Sequence, residues 1–544
     1  MLNTILSIVP VLFLIWLMVK KRSVPSQRAL PLSALVLYFI VLFAFRFEPR
    51  EVHANVISGL LLAWTPILII GGAIFLFKTM ESTGALSVIK QWLNTVSENK
   101  VAQLMIVGWA FPFLIEGASG FGTPAAIAAP VLVGLGFHPL RVAILALIMN
   151  TVPVSFGAVG TPTWFGFSGI LLTEKEALEI GFRSALIHAS IALVIPLLAL
   201  NQVIRWKSIF QNLPFILISI IATVVPYVII AKYNYEFPSL AGGAIGLVLS
   251  AVAAKFGIGL SKQKVEQKEE ESDREEKKEA KMQAHLARKV STGQLLKATF
   301  PLWGTIVVLM LTRIPQLGIK SLITASEPGL AFSLGALGEF SLSASLVLSI
   351  ENILRTDVGW THALLYVPSF IPFLLISLLT FLWYAAPPKE IALSFRMTFR
   401  QMRNPTIALL GALVFVNLMM MGGEDAAVNR IGILLAKVTG EHWTWFASFM
   451  GALGSFFSGS ATISNLTFAG IQDAIAASLG LDRTLVLALQ SVGASLGNMV
   501  CINNIVAVAS ILALGNVEGK ILKRTAFPML VYGVLAGILG VLFF

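Results

Sequence analysis

Four polar, glycine-rich stretches interrupt otherwise apolar sequence in this chain: Glu116-Gly-Ala-Ser-Gly-Phe-Gly-Thr-Pro124, Asn150-Thr-Val-Pro-Val-Ser-Phe-Gly-Ala-Val-Gly-Thr-Pro162, Ser458-Gly-Ser-Ala-Thr-Ile-Ser-Asn465 and Gln490-Ser-Val-Gly-Ala-Ser-Leu-Gly-Asn498, the last followed by Asn503-Asn504. The chemistry these residue types suit is the holding of a small carboxylate. Gly117, Gly120 and Gly122 let a ligand approach the backbone, and a helix that starts at such a break offers free N–H groups and a positive dipole end. Ser119, Thr123, Ser460, Thr462, Ser464 and Asn465 supply neutral donors, and Asn150, Ser155, Gln490, Ser495 and Asn498 extend the set. Any one small residue taken alone is better explained by close helix packing. Four such stretches together favour a site.

Ionisable side chains inside apolar sequence are costly and point to function. Glu116 opens the first glycine-rich stretch and could take up and release a proton; Asp473 and His188 lie in apolar runs and are further proton-relay candidates. Lys78 and Arg430 could each pair with an anion, or mark a loop boundary with the ammonium or guanidinium reaching for water.

The elements that must position these residues are set by composition. The chain is 56% hydrophobic and 12% charged over 544 residues, and its mean hydropathy is +0.84. A water-soluble fold has nowhere to put that much apolar surface. Apolar runs at 2–19, 30–45, 56–77, 210–230, 364–382 and 525–544 are each about long enough to cross ~30 Å of hydrocarbon as a helix. The expectation is an all-α polytopic membrane protein with roughly 12 to 14 crossings. Leu2 to Val19 lacks the charged start and cleavage site of a signal peptide and should stay as a helix. The net charge of +11 reflects basic residues in short loops, the pattern of cytoplasmic loops, and not a nucleic-acid surface. Cys501 is the single cysteine, which excludes an intrachain disulfide framework and a cysteine metal site.

The chain also repeats itself. Gly72-Ala73 lies against Gly411-Ala412, Met80 against Met419, Gly84 against Gly423, the stretch from Glu116 against that from Ser458, and the stretch from Gly136 against that from Gly480, at a spacing of about 340 residues. This predicts a first transmembrane repeat at 1–201, a connecting region at 202–340 with a mixed-charge cytoplasmic linker at about 261–297, and a second repeat at 341–544. With Lys20, Lys21, Arg22 and Arg28 in the cytoplasm, the loop at Glu174 to Glu179 falls outside, whereas its counterpart carries Lys520, Lys523 and Arg524 and belongs inside. Likewise the loop near Arg46 to His53 falls outside and its counterpart, with Lys389, Arg396, Arg400 and Arg403, inside. Equivalent loops on opposite sides make the repeats inverted, the plan of many secondary transporters. The stretch between Lys297 and Arg355 does not divide cleanly into spans and part of it could be re-entrant.

There is no phosphate-binding GxxxxGK[ST] loop, no HExxH and no metal-spaced His/Cys cluster, and Gly117-Ala-Ser119-Gly is not a complete nucleophile elbow. ATP-driven pumping by this chain and catalysis both lack their residues, and no cofactor or metal is expected. The stretches FLIEGASGFGTPAAIAAPVLVGLGF from Phe113, SFGAVGTP from Ser155 and FFSGSATISNLTF from Phe456 resemble the lactate permease family over nearly the whole chain. That resemblance implies import of lactate, L or D, or glycolate with protons across the bacterial inner membrane. The family in turn resembles a wider ion-transporter group whose paired re-entrant tips carry Ser-Asn-Thr signatures; Ser460-Ala-Thr462 and Ser464-Asn465 match loosely, and Gly122-Thr-Pro replaces them in the first repeat. The reading is an inverted-repeat symporter whose partners are a small monocarboxylate, protons and lipid, with homo-oligomerisation left open. A sodium-coupled carrier of another small carboxylate is the alternative; a membrane enzyme and a channel are other classes, distinguished by substrate turnover and by failure to accumulate substrate.

Overall fold

The computed structural model describes residues 2–19, 24–120, 123–268, 290–313, 317–367, 370–512, 514 and 517–543. Helices dominate from Leu2–Val19 to Glu518–Phe543. Among the described residues, seven helices are long and apolar enough to span a membrane, or nine if two bent pairs count as one span each, with Leu2–Leu17 and Ile371–Trp383 as shorter apolar helices. That is fewer than the sequence count, since apolar sequence is also spent on bent pairs, Pro139–Met149 with Val154–Trp164 (63°) and Glu174–Ile191 with Ile195–Val203 (44°), and on shorter helices such as Thr123–Gly134 and Ile502–Ile511. The residues Lys20, Lys21 and Arg22, Gly122, and most of the linker (269–289) lie outside the described residues. The linker region ends earlier than expected, since the helix Thr292–Arg313 already contains Lys297.

The chain forms two compact units, each drawn from both halves of the sequence. One comprises Met1–Thr83, Thr299–Gly440 and Ala469–Gly480; the other comprises Gly84–Ala298, Glu441–Phe468 and Leu481–Phe544. In the first, the 33-residue helix Pro388–Met420 packs on Ser26–Phe39, Pro49–Leu62 and Trp64–Ser82. Lys389, Arg396, Arg400 and Arg403 occupy its N-terminal half, so the basic loop read from sequence is the start of a helix.

The first unit also holds something the helical reading did not anticipate. Four antiparallel strands, β1 (Gly329–Ser333), β2 (Glu339–Ser343), β3 (Val347–Glu351) and β4 (Trp360–Ala363), form a meander in the order β1-β2-β3-β4. Their register stacks Leu330 on Leu342 on Leu348, and Phe332 on Phe340 on Ile350, so one face is apolar while Ser341, Ser343 and Ser349 line the other. This is why the region resisted division into spans: its period is two, not 3.6. The run at 364–382 is correspondingly shorter as a helix, Ile371–Trp383, with Pro372 in its first turn.

The second unit is built by helices in backbone contact. A Cβ added to Gly493 would sit 2.0 Å from the Ser448 carbonyl oxygen, and one on Gly243 would sit 2.3 Å from the Leu114 nitrogen. These glycines bring Arg483–Gly497 against Trp443–Ser458, and Pro238–Lys255 against Phe111–Ser119. Such close approach is how helices associate where lipid removes the hydrophobic drive.

Corresponding breaks in the two halves use positive φ. Gly84 (φ 75°) precedes Ala85–Thr95 and Gly423 (φ 57°) lies just before Ala427–Thr439; Gly136 (φ 84°) and Gly480 (φ 65°) precede Pro139–Met149 and Arg483–Gly497. At the hairpin the break falls at Gly120 (φ 60°) and Gly459 (φ 73°). An alignment on these glycines would match Ser119-Gly120 with Ser458-Gly459 and Thr123 with Thr462, three residues from the register that matches Glu116 with Ser458. Gly493→Ala should lower the thermal midpoint in detergent by several degrees, an overpacking cost of about 1–3 kcal/mol. Gly519→Ala, where nothing lies within 4 Å of the added Cβ, should leave it unchanged.

Candidate functional site

The second unit contains a segment of irregular backbone among buried helices. After Pro139–Met149 the chain turns through Val154–Phe156, and within Gly157–Trp164 the residues Ala158 (φ 44°), Val159 (φ 56°) and Gly160 (φ 70°) are left-handed. Left-handed backbone is unfavourable for alanine and more so for β-branched valine, and it persists only where surroundings enforce it. Here side chains take over the carbonyls that a helix would have satisfied. Val152 O accepts from Tyr227 OH (3.2 Å), Pro153 O from Ser239 Oγ (2.6 Å), Ser155 O from Thr163 Oγ1 (2.7 Å), Ala158 O from Thr161 Oγ1 (2.5 Å), Val159 O from Trp164 Nε1 (3.2 Å) and Pro162 O from Asn465 Nδ2 (2.9 Å).

Against this segment stands Glu116, in the last turn of Phe111–Ser119 and 3% exposed. Its Oε2 accepts from Asn150 Nδ2 at 3.0 Å, and among the described residues no lysine or arginine pairs with it. Gly157 makes room for the carboxyl: a Cβ there would lie 2.4 Å from Glu116 Oε1. Glu116, Gly120, Asn150, Val154, Gly157, Ala158 and Pro162 line a cavity together with Gly459, Ser460, Ala461, Thr462, Asn498 and Asn504. The cavity thus meets the first turn of Ala461–Leu479. There the Ser460 N–H is capped by Ser458 Oγ (3.2 Å) and the Ile463 N–H by Ser460 Oγ (3.3 Å), leaving those of Ala461 and Thr462 for a ligand. Asn150 and Asn498 are the residues at which Pro139–Met149 and Arg483–Gly497 end, so each broken helix delivers an asparagine to the same cavity.

Of the residues singled out from sequence, Glu116, Gly120, Asn150, Ser460, Thr462 and Asn498 meet at this cavity. Others support it from behind. Gly117 lies against the backbone of Leu240, where a Cβ would come within 2.3 Å of the nitrogen. Gln490 Nε2 donates to Asn465 Oδ1 (3.2 Å) and Ser464 Oγ (3.3 Å), and Ser464 Oγ donates to Gly451 O (2.7 Å). Ser155 Oγ lies 2.9 Å from each of His188 Nε2, Ser491 Oγ and Ser495 Oγ, and His188 Nδ1 is 2.5 Å from Tyr532 OH. The backbone of Ser119 ends one half-helix and that of Thr123 begins the next.

Asp473 belongs to the other compact unit, as do Lys78 and Arg430, which are paired with Glu81 (2.7 Å) and Asp425 (2.6 Å). The two cations proposed as anion partners are already matched by carboxylates. Gly157, Ala158 and Pro162 stood inside a glycine-rich stretch without being singled out; the left-handed backbone that puts them at the cavity leaves no mark in sequence beyond the glycines. Tyr532, a lone tyrosine in an apolar helix, gave no signal at all.

The profile of the family described as L-lactate permease matches residues 3–544. The chain belongs to the L-lactate permease family. A Haemophilus influenzae protein that bears the L-lactate permease name provisionally is 49% identical over 543 residues, covering 100% of this chain and 98% of that protein. The L-lactate permease of Escherichia coli K12 is 25% identical over 99% of this chain and 96% of its own length, and the glycolate permease GlcA of the same organism 24% identical over 99% and 95%. Among solved structures, Neisseria gonorrhoeae MtrF, described with a class of antimetabolite efflux pumps, is 15% identical over 93% of this chain and 85% of its own, with a TM-score of 0.42. The Alcanivorax borkumensis YdaH transporter is 12% identical over 87% and 84%, with a TM-score of 0.37. As a member of a permease family with spanning helices, this is a multi-pass membrane transporter and not an enzyme.

In this lactate-permease homologue Gly157 has ordinary extended dihedrals (φ −64°, ψ 155°), so alanine would strain nothing there except the Glu116 carboxyl. Gly157→Ala should keep its melting midpoint yet lose substrate uptake to the same extent as a variant altered at Glu116, measured side by side in proteoliposomes.

Proposed function

We propose that this protein is a secondary active transporter that imports lactate, and glycolate beside it, together with protons across the bacterial inner membrane. The observation that carries the proposal is a buried carboxyl with an amide as its partner and no cation among the described residues, set in the wall of a cavity that also holds a helix N-terminus. Glu116 can gain or lose a proton there without breaking an ion pair, and the N–H groups at Ala461 and Thr462 suit a carboxylate. The names of the family and of its relatives supply the substrate class.

In this reading Gly120, Asn150, Ser460, Thr462 and Asn498 contact the substrate. Gly117, Ser155, Ser464, Asn465, Gln490 and Ser495 hold the broken helices in register, the backbone of Ser119 and of Thr123 flanks the break in the first hairpin, and Gly122 is kept as a substrate-binding candidate. Glu116 carries the proton. His188, already bonded through both ring nitrogens, is a positioning residue, and Asp473, in the other unit, stays a relay candidate. The matched positive-φ glycines and the two terminal asparagines support a duplicated architecture, and the loop charges support its inversion.

The test is uptake of labelled L-lactate into proteoliposomes under an inward proton gradient, with sodium present or absent. Accumulation driven by the proton gradient, independent of sodium and reduced in Glu116→Gln to lactate exchange without accumulation, is the expected result. Sodium-dependent accumulation would overturn the coupling ion. Unimpaired accumulation in Glu116→Gln would remove the proton from that residue.

A further inference from the structure

Among the described residues, one buried side-chain acceptor at the cavity has no partner. Asn150 is 8% exposed and lines the cavity; its Nδ2 donates to Glu116, and its Oδ1 has no hydrogen-bond partner. The orientation of the amide follows from its neighbour: a carboxylate oxygen accepts, so the NH2 faces Glu116 and the carbonyl oxygen turns away from it. A buried acceptor left bare is a penalty that native structures avoid unless something else fills the position.

The other cavity groups have the opposite character. The Ala461 and Thr462 N–H groups are donors, and Asn498, whose Oδ1 accepts from Asn504 Nδ2 at 3.3 Å, keeps its NH2 for a ligand. A fitting ligand therefore carries an anionic acceptor at one end and a hydrogen-bond donor near it. A 2-hydroxy carboxylate has both. A 2-oxo acid would set a second acceptor against the Asn150 oxygen, and a plain fatty acid would leave that oxygen bare.

We infer that Asn150 is the specificity-determining residue that reads the 2-hydroxyl group of the substrate, accepting its O–H through Oδ1 while Glu116 fixes the amide. This rests on the carboxylate-transport reading above and adds to it the basis of selection. It also couples recognition to the proton site, because the same amide serves both groups.

The experiment is competition against labelled L-lactate uptake in proteoliposomes by glycolate, propionate and pyruvate, in the unmodified protein and in Asn150→Leu, which keeps the side-chain volume and removes the acceptor. In the unmodified protein glycolate should compete well, and propionate and pyruvate roughly ten- to a hundredfold more weakly, the cost of one unmet buried acceptor. Asn150→Leu should bring lactate, glycolate and propionate to within a few-fold of one another. The comparison of acids in the unmodified protein stands even if that variant does not fold. Propionate or pyruvate competing as well as lactate overturns the inference alone, as does a Leu variant that keeps the lactate preference. Failure to carry any small monocarboxylate overturns the transport reading and this one together.

Discussion

Irregular backbone buried within a membrane protein must find a partner for every carbonyl and N–H, because no water is at hand to supply one. The segment from Val152 to Pro162 shows how this chain meets that demand. Six of its carbonyls accept from side chains on the surrounding helices or on the segment itself, among them Tyr227, Ser239 and Asn465. Those bonds hold Ala158 and Val159 in a left-handed conformation they would not adopt alone. Gly157 is thereby presented to the Glu116 carboxyl, and Pro162 to the N-terminal part of Ala461–Leu479. Ser155, Asn465 and Gln490, read from sequence as part of a binding set, take part in the bonds around this segment.

The cavity that results takes its lining from both halves of the sequence, and the two contributions differ in kind. Each half supplies a helix that breaks at a positive-φ glycine and another that ends at an asparagine. Among the described residues that line it, Glu116 is the one carboxylate, and a Ser-Gly-Ser-Ala-Thr turn caps the incoming helix through Ser458 and Ser460. In the proposed co-transport, the Glu116 carboxyl would hold the proton and the first turn of Ala461–Leu479 the anion, at one cavity. The side-chain amide of Asn150 stands between the two, with one end committed to Glu116.

A good part of this was legible in the residues. Membrane class, the apolar helices, the family resemblance and four of the polar interruptions follow from composition and local pattern. Glu116 stood out because a carboxylate in apolar sequence needs a reason. The four-stranded meander at 329–363 was missed, since its alternation is short and set between apolar helical runs. The repeat read from sequence matches Glu116 with Ser458, whereas an alignment on the positive-φ glycines would match Gly120 with Gly459; few paired residues are identical, so local pattern leaves the register loose.

By itself the sequence determined which groups could do chemistry and that they must be buried in a membrane, because those properties depend on residue type and hydropathy, which are local. Only the tertiary structure decided which of them meet. It assigned Asp473, Lys78 and Arg430 to the other compact unit, set Gly117 against Leu240 and Gln490 against Asn465, and brought Gly157 and Asn498 to the cavity. The reason is that contact between residues distant along the chain depends on helix packing at glycines such as Gly243 and Gly493 and on the left-handed turn at Ala158 and Val159, and neither is written in the identity of the residues that end up facing each other.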